Sequence, residues 1–329
     1  MRLGFLKFSV LLLFLVPESS TSALRGRIGD VPNMRAIRVP LDPSDPARVR
    51  LGPLTYLGGV HLVSSDLVFG GFSAMQLQGD RFTLLSDRGY VVQFRMGADW
   101  RPRAIRFVNL PVGPGTGAFR SERDTESLAL DPATGKFWVG FEARNAIWRY
   151  DNSFSKGDAS ARPPLMDDWS ENGGAESMVR LRDGRFVVIS ETTRPAGGKR
   201  RSERVALIFH RDPVDPSGPV EALSYVPPPG YDPSDATELP DGRLLVLNRR
   251  ITLRDLFTAK LTVVDIRGAK AGTVLRGTEI ATFESPVQHD NFEGVTTTRE
   301  GKDTILWIVS DDNNAWWQQT LLLKFRLEL

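Results

Sequence analysis

The stretch NGGAESMVRLRDGRFVVISE, Asn172–Glu191, decides the fold. An acid enters a short apolar run, the chain turns through Arg182-Asp183-Gly184, and a second apolar run returns to another acid. Asp-Gly pairs accept the positive φ angles of tight hairpin turns, and short runs rich in Val, Ile and Phe suit strands with one or both faces buried. The segment reads as a β-hairpin with a carboxylate on each of its two adjacent ends.

The same skeleton recurs in other letters: FSAMQLQGDRFTLLSD from Phe72, ESLALDPATGKFWVGFE from Glu126, SDATELPDGRLLVLNR from Ser234 and EGVTTTREGKDTILWIVSD from Glu293. Each hairpin turn carries a glycine, at Gly79, Gly135, Gly184, Gly242 and Gly301. A third strand-like run follows most hairpins, such as Tyr90–Phe94, Ala146–Tyr150, Val205–Phe209 and Leu261–Ile266, and a fourth follows some, such as Ala104–Leu110 and Glu279–Phe283. The hairpins end at Asp87, Glu142, Glu191, Arg249 and Asp311, at intervals of 55, 49, 58 and 62 residues. That spacing suits four-stranded blades with loops, and no apolar pattern of helical period is sustained over three turns.

The expected fold is therefore all-β: a β-propeller of four-stranded antiparallel blades. Five blades are counted, six if Met34–Pro40 belongs to an extra sheet. The last repeat ends in the strand TLLLKFRLEL at the C-terminus, and LTYLGGVHLV, Leu54–Val63, can complete it. Closing the ring with N- and C-terminal strands removes the free edges that a linear array would expose. No linker divides the chain, so residues 24–329 are assigned to one domain.

Residues 1–23 read as a secretory signal. Arg2 and Lys7 flank the start of an apolar run, Phe8–Val16, which Pro17 and small polar residues follow; the run is too short to span a membrane, and cleavage is placed after Thr21-Ser22-Ala23. The chain has no cysteine, which excludes disulfides, thiolate metal sites and a cysteine nucleophile. A net charge of +2 in 329 residues, falling to +1 without Arg2, Lys7 and Glu18, supplies no global field for nucleic acid or anionic lipid. The expectation is a periplasmic or secreted monomer that binds neither nucleic acid nor, once cleaved, a membrane.

Antiparallel strands return to their starting end, so the residue entering each hairpin lies beside the residue leaving it. The two columns read Phe72 and Asp87, Glu126 and Glu142, Glu176 and Glu191, Ser234 and Arg249, Glu293 and Asp311; seven of the ten are acidic. In a propeller the first strand of every blade lines the central channel, so these acids are expected to share one mouth. Crowded carboxylates are costly unless a cation or a guanidinium compensates. Oxygen ligands in number suit calcium better than zinc, and three histidines make a zinc site a poor fit. Asp87, Glu126, Glu142, Glu176, Glu191, Glu293, Asp311 and Asn313 are the candidate metal ligands; pairing of the acids with arginines between blades is the alternative.

Arg88 and Arg249 stand on the same expected face and can hold an anion through their forked donors. Trp316, in SDDNNAWWQQ, can stack on a ring or pack with Trp317 between blades. Glu126, Glu176 and Glu293 are candidates for general base, with His289 in HDNFEG as a further one. Ser86, Ser190 and Ser310 precede acids without a histidine to activate them, and nucleophile-elbow, P-loop, HExxH, dinucleotide and EF-hand patterns are absent.

The combination of GGFSAM and LLSDRG (Gly70–Gly89), DTESLAL (Asp124–Leu130), LPDGRLLVLNRR (Leu239–Arg250), and NFEGV with IVSDDN (Asn291–Asn313) resembles the phytase-like family described as "esterase-like activity of phytase", over Leu57–Leu329. The resemblance implies an exported propeller with ester or phosphoester hydrolysis. Calcium-dependent propeller phytases are a more distant analogy whose ligands do not transfer residue by residue. The fourth repeat departs from the acidic pattern at Ser234 and Arg249. The expected function is calcium-assisted hydrolysis of a small anionic ester, a phosphoester first; a propeller lactonase or carboxylesterase, or a non-catalytic ligand- or glycan-binding propeller, are the alternatives.

Overall fold

A computed structural model describes residues 28, 29, 31–115, 119–196 and 202–329. The expected signal segment and the basic run Lys199–Arg201 lie outside the described residues.

The chain is built almost wholly of strands. First come β1 (Arg35–Arg38), β2 (Arg50–Leu51) and β3 (Leu54–Val63). Four antiparallel units follow in turn: β4 (Phe72–Gln78), β5 (Arg81–Ser86), β6 (Tyr90–Met96) and β7 (Pro102–Asn109); β8 (Thr125–Leu130), β9 (Phe137–Phe141), β10 (Ala146–Tyr150) and β11 (Gly157–Ala161); β12 (Ala175–Arg180), β13 (Phe186–Ser190), β14 (Arg204–Phe209) and β15 (Val220–Val226); β16 (Asp232–Glu238), β17 (Leu244–Thr252), β18 (Leu256–Val264) and β19 (Val274–Phe283). The last unit, β20 (Asn291–Glu300), β21 (Asp303–Asp311) and β22 (Thr320–Leu327), takes β3 as its fourth strand, with Leu62 opposite Thr320 and Leu54 opposite Leu327. The third and fourth units join at their outer edges, where Ser224–Val226 of β15 runs parallel to Val274–Arg276 of β19.

The first strands of the units meet in a closed cycle: β4 packs on β8, β8 on β12, β12 on β16, β16 on β20, and β20 on β4. This is the β-propeller that the repeats imply, closed by strands from the two ends of the chain. The segment Met34–Pro40 founds no sixth sheet, because β1 within it pairs with β3 on the outer side of the closing unit.

The core explains why these strands look apolar on both faces. Five buried clusters each sit between two neighbouring units rather than at the centre. In β13, Phe186 and Val188 face the second unit while Val187 and Ile189 face the fourth; in β17, Leu244 and Val246 face the third unit while Leu245 and Leu247 face the closing one. Alternate side chains thus enter different interfaces, and each fully buried one contributes about 1.5–3 kcal/mol. The five hairpin glycines all take positive φ, between 61° and 92°, as the turn chemistry requires.

Candidate functional site at the acidic channel mouth

Every inner strand carries a β-bulge near its start. The register slips between Phe72 and Ala74, Thr125 and Ser127, Ala175 and Ser177, Pro233 and Asp235, and Phe292 and Gly294. The extra residues are Ser73, Glu126, Glu176, Ser234 and Glu293. A bulge leaves one residue unpaired and re-aims its side chain, so these five form the equivalent inner column of the ring. The sequence alignment is thereby corrected: Ser73, not Phe72, is the partner of the three glutamates, and Phe72 is a buried core residue. Ser73 and Ser234 donate to the carbonyls of Thr125 (2.6 Å) and Phe292 (3.2 Å), so where the column lacks an acid it ties neighbouring units together.

The second and third units bring the carboxylates closest. Oxygens of Asp124, Glu126 and Glu142 lie within 4.8 Å of one another, and so do those of Glu142, Glu176 and Glu191. Glu142 is shared, and it is fixed by the amides of Gly173 and Gly174, which both donate to its Oε1. Burial raises the pKa of Glu126 well above the ordinary carboxylate range, reinforced by Glu176, Asp124, Glu142 and Glu293; burial does the same to Glu176, reinforced by Glu191 and Glu142. Burial, then Glu142, pushes Asp124 up to about 7. Glu126, Glu176 and Glu293 therefore share one opening, as the hairpin columns anticipate.

A cation fits the second and third units. The donors are all hard oxygens, the donor set of calcium rather than zinc. Beside them the buried carbonyl oxygen of Asn145 has no hydrogen-bond partner, although its amide donates to the Trp169 carbonyl at 3.0 Å. Gly174 forms the floor: a Cβ there would stand 3.0 Å from Asn145 Oδ1 and 3.2 Å from Glu142 Cγ. Sequence reading missed Asp124 and Asn145. Asp124 lies two residues before the Glu126 that opens the repeat unit, and its signal is the backbone bond that its carbonyl accepts from Glu142 at 2.8 Å; Asn145 sits in the turn after β9 at φ 46°.

Glu191 of the second group and the acids outside both groups meet arginine. Arg249 of the fourth unit reaches Glu191 at 2.8 Å and Glu293 at 3.2 Å, and donates to Asn291 at 3.3 Å. Burial opposes its charge, yet Glu293, Glu191, Glu176 and Glu126 raise its pKa further. The departure from the acidic pattern is the counter-charge of the ring. Arg249 is thus committed to carboxylates, which corrects its expected role as an anion holder. Burial raises the pKa of Glu191, offset by Arg249. Glu293 accepts from Asn291 Nδ2 at 2.7 Å, and burial pushes its pKa up to about 7 against the pull of Arg249.

Asp87 bonds Arg120 at 3.1 Å with Arg88 Nε at 3.7 Å, and burial outweighs both arginines to raise its pKa. Arg88 stays partly exposed at the rim, held by Asn314 Oδ1 at 2.7 Å. Asp311 is buried and raised by burial, then by Glu293 and Asp87. Neither Asp87 nor Asp311 joins the two close carboxylate groups. Asn313 is an exposed turn residue whose backbone amide caps Asp311 at 2.6 Å and whose side-chain amide donates to Gln318 at 3.1 Å. His289 has its Nδ1 bonded to the Val287 carbonyl of its own loop at 2.8 Å and belongs to neither close carboxylate group. Trp316 packs between no blades, being 96% exposed, while Trp317 stacks on Phe257 with centroids 6.4 Å apart. Ser190 and Ser310 donate to the carbonyls of Gly173 and Gln319, so they are structural hydroxyls.

The opposite end of the channel differs in kind. A cavity of about 480 Å³ there is lined by Gln76, Arg180, Thr237, Thr297 and Arg299 among others, and its acids Asp131 and Glu238 are paired with Arg180 and Arg182.

The fold and this carboxylate mouth define a channel-type β-propeller with a site built from several blades. The model of the phytase-like family, "Esterase-like activity of phytase", matches residues 68–314, more than half of the chain, and the chain belongs to that family. No relative among curated proteins matches the sequence. Among solved structures the chain is similar to glutaminyl cyclase of Myxococcus xanthus, with 11% identity over 79% of this chain and 91% of that one at a TM-score of 0.46. It is also similar to the allergen Mala s 1 of Malassezia sympodialis, with 14% identity over 90% and 96% at 0.46.

Proposed function

We propose that the protein is an exported calcium-assisted hydrolase of small anionic esters, phosphoesters first. The observation that carries this reading is the pair of all-oxygen carboxylate groups sharing Glu142, with the unpartnered Asn145 oxygen beside them. Asp124, Glu126, Glu142, Glu176 and Glu191, with Asn145, would hold the ion. When bound, calcium polarises an ester oxygen and lowers the pKa of a water. Membership of a family named for esterase-like activity supports hydrolysis, and the order of charged, apolar and small residues in 1–23 supports export to the periplasm or beyond.

The chain's own residues supply binding and proton transfer. Arg88, partly exposed, and Arg120, largely exposed, flank Asp87 at the rim, so they receive the anionic part of the substrate. Glu293, oriented by Asn291 and Arg249 and titrating near neutrality, takes the proton from the attacking water and returns it to the leaving oxygen. Burial of Glu293 at the channel mouth strengthens its own interactions by lowering the local dielectric.

The test is a panel of phosphoester, carboxylester and lactone substrates assayed with calcium and with chelator. Phosphoester turnover that chelation abolishes and calcium restores is expected. Turnover of lactones alone would move the protein to the lactonase reading, and turnover of no ester would remove the hydrolase.

A further inference from the structure

Fourteen large apolar side chains are exposed among the described residues, and five of them gather at one place beside the acidic mouth: Ile251, Leu253, Leu256, Trp316 and Trp317. Both exposed tryptophans of the described residues are in this group. The strand β17 explains the gathering. In the first three units the second strand stops before the rim residue, at Ser86, Phe141 and Ser190. β17 instead runs three residues beyond Arg249 to Thr252 and pairs throughout with β18, Ile251 opposite Phe257 and Thr252 opposite Leu256. At about 3.3 Å per residue, the hairpin rises roughly 10 Å past the rim before its tip turns. Trp317 stacks on Phe257, so the loop carrying Trp316 leans against the stem of the same hairpin.

We propose that this hairpin and tryptophan loop dock the protein on a lipid bilayer surface, with the channel mouth turned toward the lipid. The knob consists of five exposed side chains carried on two separate chain segments, the β17–β18 hairpin and the loop of Trp316 and Trp317. It suits a fluid surface into which separate tips can sink. The composition is that of an interfacial anchor: tryptophans that sit at headgroup level, leucines at the tips, and cations around them. Arg254 at the tip is 92% exposed, and Arg120 and Arg144 are open on the rim, whereas Glu142, Glu293 and Asp311 are buried. Asp255 at the same tip, 45% exposed, lies 3.8 Å from Arg254 and 3.9 Å from Arg250, so the accessible charge facing the bilayer keeps an excess of arginine even though the site beneath it is acidic. The net charge of +2 does not report on such a contact, because a local tip is invisible to a sum over the whole chain. The docking goes beyond the hydrolase reading and needs no turnover to be seen.

The experiment is co-sedimentation of the purified protein with phosphatidylcholine vesicles, with and without phosphatidylglycerol, alongside tryptophan fluorescence with brominated acyl chains. Binding that grows with phosphatidylglycerol and weakens with salt is expected, with a blue shift and quenching. The double variant L253S/W316S should lose about tenfold or more in partition while keeping the wild-type melting temperature, since both side chains are solvent-exposed. R254E should lose several-fold on anionic vesicles and little on neutral ones. Absence of partition, equal partition by L253S/W316S, or a self-associated species by size exclusion that this variant dissolves would each overturn the proposal, the last by assigning the knob to a second copy of the chain.

Discussion

Glu142 is the residue on which the site turns, because both close carboxylate groups include it and two glycine amides fix its position. Glu142→Gln keeps the acceptor but removes the charge, and calcium affinity measured by titration calorimetry should fall about tenfold or more. Gly174→Ala tests the same space from the backbone side. Its φ is not in the left-handed region, so the alanine backbone is unstrained there, but the Cβ would crowd Asn145 Oδ1, Glu142 Cγ and the Glu142 backbone carbonyl. The expected outcome is weakened calcium binding, with a loss of about 2–4 °C in the melt of the metal-free protein. Arg249→Met leaves Glu191 and Glu293 without their cation. Removing one partner of a largely buried pair costs about 3–5 kcal/mol, and partial exposure of this arginine lowers the expectation to about 2 kcal/mol, read by chemical denaturation. None of these three effects depends on the identity of the substrate.

At the scale of elements, the closing strand carries the sharpest stability prediction. Leu54, Val60 and Leu62 of β3 are buried in the two interfaces that flank the last unit. A chain truncated before Leu54 loses the outer β1 and β2 and the core side chains Met34 and Leu41, but keeps the closing strand. Truncation through Val63 removes three further core side chains at about 1.5–3 kcal/mol each and bares the edge of β22. That loss rivals the whole stability of a typical domain, so calorimetry should show a cooperative transition for the first truncation and none for the second. Much of this architecture is legible in sequence because its signals are local: Asp-Gly turns specify hairpins, and strands buried on both faces stay apolar throughout. The bulges are not legible, since an extra residue interrupts a period of two without leaving a mark; this is why Phe72 is misaligned for Ser73. The acids at bulge positions were still found because acidic residues fill three of those five places. Asp124 and Asn145 fall outside the repeat unit, and only the hairpin's return across β9 reveals them. Whether Arg249 faces solvent or carboxylates depends on which blades are neighbours, a property of ring closure rather than of any one segment.

For the molecule as a whole, the ring of acids makes stability depend on pH. Asp124 and Glu293 titrate at about 7 in the folded protein, against ordinary values of 3.8 and 4.5. Between those limits the folded state holds protons that the unfolded chain has released. Stability of the metal-free protein therefore falls as pH rises from about 4 to about 7 and returns on acidification. A bound cation should cancel this penalty, so the rise in melting temperature on adding calcium is expected to be larger near pH 8 than near pH 5.5. The central claim is that separate blades deliver carboxylates to one mouth in an arrangement that takes a hard cation. The most direct measurement is calorimetric titration of calcium into chelator-treated protein at about pH 8, with Glu142→Gln beside it. Saturable binding by the wild type that the variant weakens is the result this account predicts; no binding by either, or equal binding by both, would contradict it.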